Sequence, residues 1–397
     1  MTESSDQQLG HPSARLLVAG TKAATAATFG AFVVSGLAFA SWAARIPQIR
    51  DQLGLDPATL GLVLLSISAG CVAALPVSGA VVARFGSRRT VIAGAALFGA
   101  GMAVVAVGTL AGVAAVVAGL VVLGVATAAW DVAMNLQGTV IERRLGRSMM
   151  SRFHAGFSVG TVLGALIGTV MVALRVPVVV HLAAVAVVVP VAVPVAARRF
   201  LADDRRATGG RRAFAAWTER RTVLIGLFAL AFTFAEGAGT DWISLAAIDG
   251  HGLAAWAATL AFAAFLGAMT AGRWFGPGLL DRYGRVRVVR TLTITASAGT
   301  ALFVLAPSAP LAFAGALLWG LGISLGFPVA VSAAGADPER AAGRVSVISS
   351  IGYSAFLAGP PVIGFLGAHV TVLRALLAVA AVLAAAALCS GIVAPRG

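Results

Sequence analysis

The chain is 397 residues long, 59% hydrophobic and only 11% charged, with a formal net charge of +14. A water-soluble domain carries about 25% charged residues, so this composition excludes a soluble enzyme and makes lipid the natural solvent. The basic excess then reads as membrane topology and not as affinity for nucleic acid.

The N-terminal segment, 1–22, opens with the polar stretch MTESSDQQLGHPSAR and lacks the basic-then-apolar pattern of a cleaved signal peptide. A helix needs roughly 20 apolar residues to cross the hydrocarbon. Windows of that size fall at 23–45, 58–82, 89–108, 110–140, 154–174 and 176–197. They make a first half, 23–197. Residues 198–221 then form the one long polar insert, a basic linker with eight arginines. The windows resume at 222–247, 253–278, 288–307, 309–333, 345–368 and 371–394, a second half over 222–397. The predicted fold is an all-α membrane protein with twelve transmembrane helices in two six-helix halves.

Charge tests that map. With the N-terminus in the cytoplasm, 25 of the 29 basic residues fall on the inner side, including Arg84, Arg144, Arg147, Arg152, Arg205, Arg206, Arg211, Arg212, Arg273, Arg282, Arg340 and Arg396. Only Arg45, Arg50, Arg175 and Arg374 fall outside. Basic loops stay in the cytoplasm, so both termini and the linker are expected there. The linker arginines could also touch anionic head groups.

The halves repeat. GAVVARFGSRR at 79–89 follows the second predicted helix, and PGLLDRYGRVR at 277–287 follows the eighth. Arg84-Phe85-Gly86 aligns with Arg282-Tyr283-Gly284, and Trp42 with Trp242. Such paired loops in two six-helix halves resemble the loop signature of the major facilitator superfamily. WAARIP, DVAMNLQG and AGPPVIG further resemble an uncharacterised bacterial inner-membrane group, distantly similar to the fucose-permease type. The resemblance implies gating roles for Arg84, Gly86, Asp281, Arg282 and Gly284. It also implies that Asp281 latches the cytoplasmic side by facing Arg152 at the start of the fifth helix. The first-half loop departs from the signature, with Ala83 where the family usually has Asp. An asymmetric cytoplasmic gate is therefore expected.

Three acidic residues remain inside the predicted spans: Asp131, Glu236 and Asp241. A charge at the bilayer centre costs at least about 2.5–3.5 kcal/mol on insertion scales, so such residues face a cavity or a partner. Glu236 falls at the midplane of its span and is the leading candidate to carry a coupling proton, with Asp241 and Asp131 behind it. Gly237 and Gly239 between the two carboxylates predict a flexible or unwound segment. Asp241 could instead pair with Arg45 as an external gate; Arg45 could equally snorkel to the head groups. Asp131 and Asn135 share a helix face at i and i+4. With Gln137, Trp42, Trp242 and Tyr353 they form the candidate substrate-binding set, against the alternative of helix-to-helix hydrogen bonding or interface anchoring.

Gly156, Gly160, Gly164 and Gly168 recur every four residues on the fifth helix. Their pattern resembles the family's antiporter motif without its proline. The two cysteines show no metal-ligand spacing, and no phosphate-cradling loop appears. Neither a metal nor a cofactor is expected, nor is enzymatic activity. The expected protein is a monomeric secondary transporter of the bacterial inner membrane, moving a small organic solute by proton-coupled efflux. The glycine face and a cavity with few polar groups for a sugar favour that direction. Proton-coupled uptake of a sugar or other polar metabolite is the alternative, and a non-transporting receptor on the same fold is a third reading.

Overall fold

In the computed structural model the described residues are 12–146, 149–203, 214–334 and 341–394. Arg147, Arg205, Arg206, Arg211, Arg212, Arg340 and Arg396, counted above with the inner arginines, lie outside them. Eleven described helices are long and apolar enough to cross a bilayer, and a shorter apolar stretch, Val372–Leu388, takes the twelfth position.

The first half contains α1 (Pro12–Ala43, followed after a turn by the short helix Ile46–Leu53), α2 (Pro57–Phe85) and α3 (Ser87–Ala111). It continues through α4 (Val113–Leu145), α5 (Met150–Ala173) and α6 (Val178–Ala197). The second half contains α7 (Arg220–His251), α8 (Ala255–Tyr283), α9 (Arg285–Leu305) and α10 (Ala309–Ile323, extended by Gly326–Ala334). It ends with α11 (Ala341–Val370) and α12, which is split into Val372–Ala375 and Leu377–Leu388.

Apolar runs make these segments helical because lipid leaves every backbone group to be satisfied within the segment. Local signals set the ends. Asp56 caps α2, accepting from the Ala58 and Thr59 N–H groups at 2.9 and 3.0 Å. The two repeated loops turn alike: Gly86 has φ +83° and Gly284 φ +81°, a region that other residues rarely enter. In both loops the arginine stacks on the next aromatic ring, Arg84 over Phe85 at 5.5 Å and Arg282 over Tyr283 at 5.2 Å.

Packing repeats as well. In the first half α1 packs on α5, α2 on α4, and α3 on α4 and α6; in the second, α7 packs on α11, α8 on α10, and α9 on α10 and α12. The α1–α5 seam explains the glycine repeat. A Cβ at Gly160 would lie 2.0 Å from the Val33 carbonyl oxygen, and one at Gly164 2.4 Å from that of Leu37. The glycines are therefore needed for close approach within the first half.

The halves meet through α2 with α11 and α5 with α8. Their contact is tightest toward the arginine-poor end. A Cβ at Gly61 would lie 2.6 Å from the Pro360 oxygen, and one at Gly364 2.4 Å from the Pro57 oxygen. Deeper in, Ser68 Oγ donates to the Phe356 carbonyl at 2.8 Å. At the arginine-rich end a cavity of about 1000 Å³ opens between α1, α4 and α5 of the first half and Trp274 of α8. Asp281 is exposed there and makes no hydrogen bond or ion pair with a described residue, so it does not touch Arg152 in this conformation.

Candidate functional site

Four helices bring polar groups together between the halves. α4 supplies Asp131, with Asn135 one turn on; Asn135 Nδ2 donates to Asp131 Oδ1 at 3.0 Å and to its carbonyl at 2.9 Å. α7 supplies Glu236 and α8 supplies Arg273, which join in an ion pair at 2.8 Å. α11 supplies Tyr353, which is 47% exposed and stacks on Phe327 at 5.6 Å between ring centres. The Tyr353 hydroxyl lies within electrostatic reach of Asp131, Glu236 and Arg273. His154 of α5 also lies within electrostatic reach of Arg273.

Arg273 is the residue that sequence reading missed. The charge count placed it with the inner loops. Its position within α8, ten residues before the last, was the available signal. The ion pair gives Glu236 a basic partner inside the spans. Asp241, half-buried about one and a half turns along α7, makes no hydrogen bond or ion pair with a described residue. Of the three acidic residues in the spans, it is the one without a partner among the described residues.

The expected unwinding at Gly237 and Gly239 does not occur, since α7 is continuous from Arg220 to His251. Rings fill the space that side chains would have needed. A Cβ at Gly239 would meet the Phe265 ring at 2.5 Å, and one at Gly237 the Phe356 ring at 3.2 Å.

Arg45 neither pairs with Asp241 nor snorkels. It is buried, and its Nε donates to His181 Nδ1 at 3.0 Å while Nη2 donates to the Val176 carbonyl at 3.0 Å. All three residues belong to the first half, so Arg45 braces α1 against α6. The charge pair that joins the halves at this end is Arg50 with Asp249, a two-pronged contact whose second prong measures 3.1 Å. Arg50 also donates to Asp51 at 2.7 Å.

Three members of the expected substrate-binding set are placed elsewhere. Trp42 and Trp242 are 3% and 0% exposed, packed into the closed end and away from the open space. Gln137 is fully buried and structural. With its amide oriented to satisfy its neighbours, it bonds Ser87 Oγ at 3.0 Å and the Leu201 N–H and carbonyl at 2.8 and 3.2 Å. Asp203 completes that junction by accepting from Ser87 Oγ at 2.6 Å and from the Ser87 N–H at the start of α3. The linker thus supplies a carboxylate to the same loop whose own signature position is Ala83.

The matching model for the Major Facilitator Superfamily covers residues 27–360. The chain belongs to this superfamily. It is 30% identical over 337 residues to an uncharacterised MFS-type transporter of Yersinia pestis, covering 85% of this chain and 87% of that one. Among solved structures it superposes on the nucleoside transporter NupG with a TM-score of 0.72 at 15% identity, covering 92% of this chain and 98% of that one. A variant of the E. coli fucose:proton symporter FucP superposes with a TM-score of 0.63 at 15% identity, covering 94% and 98%. At that identity the superpositions speak for the fold. The superfamily consists of transporters of the secondary kind, and this chain is a multi-pass membrane transporter of that kind.

Proposed function

We propose that this transporter takes up a small polar metabolite together with a proton, as a monomer in the bacterial cytoplasmic membrane with its arginine-rich end in the cytoplasm. The orientation rests on the distribution of basic residues. One observation carries the substrate reading: the Glu236–Arg273 ion pair joins α7 to α8 inside the spans, within electrostatic reach of Tyr353, as is Asp131 with its partner Asn135. That set offers donors and acceptors to a hydroxylated or amide-bearing solute.

The α5 glycines have a packing role against α1, and Arg273 adds a cation to the acidic set inside the spans; this reading therefore prefers uptake of a polar solute to efflux. The fold neighbours include a nucleoside transporter and a fucose:proton symporter, which fits a polar solute. In this reading Asp241, which has no partner among the described residues, carries the proton. Asp131 and the Glu236–Arg273 pair hold the solute. The Arg50–Asp249 contact closes the outer end in this conformation.

The test is uptake into proteoliposomes under an imposed pH gradient, acid outside, with nucleosides, sugars and amino compounds as the panel. The expected result is gradient-driven accumulation of one polar class. Asp241→Asn should abolish that accumulation while leaving solute counterflow intact. Expulsion of amphipathic drugs in exchange for protons, with no polar solute accumulated, would replace this reading with antiport.

A further inference from the structure

The cavity at the arginine-rich end has chemistry unlike that of the central space. Lys22 of α1, Arg144 of α4 and Arg152 of α5 line it, and no carboxylate does. All three cations are exposed, and none makes a hydrogen bond or ion pair with a described residue. Apart from Thr21 and Thr25, the remaining wall is apolar and aromatic, with Phe29, Phe153 and Trp274 prominent. Trp274 is 60% exposed and its neighbour Phe275 72%, so the α8 side of the cavity opens toward lipid. The cavity's volume of about 1000 Å³ exceeds what an inorganic anion would fill.

Three unpaired cations over an apolar wall call for an occupant that is anionic at one end and greasy at the other. We infer that this cavity binds an anionic phospholipid, with its phosphate among Lys22, Arg144 and Arg152 and an acyl chain along Phe29 and Trp274. Charge-assisted contacts from several guanidinium groups suit a phosphodiester, and basic pockets between helices at the inner leaflet take such head groups. The lining residues all belong to the first half except Trp274 of α8.

The test is thermal unfolding of the purified full-length protein in neutral detergent, titrated separately with phosphatidylglycerol, phosphatidylcholine and inorganic phosphate. Ligands of the folded state raise its apparent stability by mass action. Phosphatidylglycerol should raise the melting temperature, and the other two should not. The double variant R144Q/R152Q should weaken the phosphatidylglycerol response on the order of 30-fold, given the contribution of each basic residue near an anionic lipid surface. Arg287→Gln, an exposed arginine outside the cavity, should leave the response intact. If the double variant does not fold, Lys22→Gln is the substitute and should weaken the response in the same direction. An equal response to phosphatidylcholine or to phosphate, an unchanged response in the cavity variants, or an equal loss in Arg287→Gln would each overturn the inference.

Discussion

Arg273 donates to Glu236 across 2.8 Å, with the two side chains 26% and 24% exposed. The pair ties α7 to α8 beside the central space. A half-shielded pair is strongly coupled, because removing one partner strands the other charge. Glu236→Gln and Arg273→Gln should each lower the melting temperature, and the double substitution should be milder than their sum. A double-mutant cycle should return a coupling of roughly 0.5–3 kcal/mol. A coupling near zero would remove the pair from the account of the site.

Arg50 and Asp249 join the halves at the arginine-poor end, with side chains 15% and 40% exposed. Exposed pairs contribute at most about 1 kcal/mol, which is roughly a fivefold change in a two-state population. Asp249→Asn should therefore raise the fraction open at this end by up to about fivefold without unfolding the protein. Spin-label distances between the short helix Ile46–Leu53 and the end of α7 would report it. The swap Arg50→Asp with Asp249→Arg should restore the original distribution.

Gly160 and Gly278 make a paired test of helix approach. A Cβ at Gly160 would sit 2.0 Å from the Val33 oxygen, whereas one at Gly278 would meet nothing within 4 Å. Gly160→Ala should cost about 1–3 kcal/mol through overpacking, and Gly278→Ala should be neutral or stabilising by up to about 1 kcal/mol. Thermal unfolding of the two variants side by side checks the contrast.

Asp203 accepts from the backbone and hydroxyl of Ser87 at the start of α3. Losing a helix cap costs about 0.5–2 kcal/mol. Asp203→Ala should show a loss in that range and should also speed proteolysis of the linker. An unchanged cleavage rate would mean that the linker is held in place by other contacts, Gln137 to Leu201 foremost.

The helix count and the repeated loops were legible in the sequence because local composition decides them. Apolar runs leave no alternative to helix in lipid, and Gly86 and Gly284 are dictated by their own backbone angles. The partners were not legible. Whether Arg45 meets Asp241 or His181 depends on how α1 rotates against α6, which a single span does not encode. Gln137 reads as a cavity residue until α4 is seen to reach the linker at Leu201. Gly237 and Gly239 read as a hinge until the rings of Phe356 and Phe265 are seen to occupy their faces. In each case a residue type signalled that something was required, and the tertiary arrangement chose what.

The contact of Gly61 and Gly364 with Pro360 and Pro57 brings backbone against backbone. Surfaces that interdigitate must disengage before they can turn. A smooth surface can roll. A patch of this kind would let one half roll on the other, leaving the Arg50–Asp249 pair at the rim as a restraint on that motion.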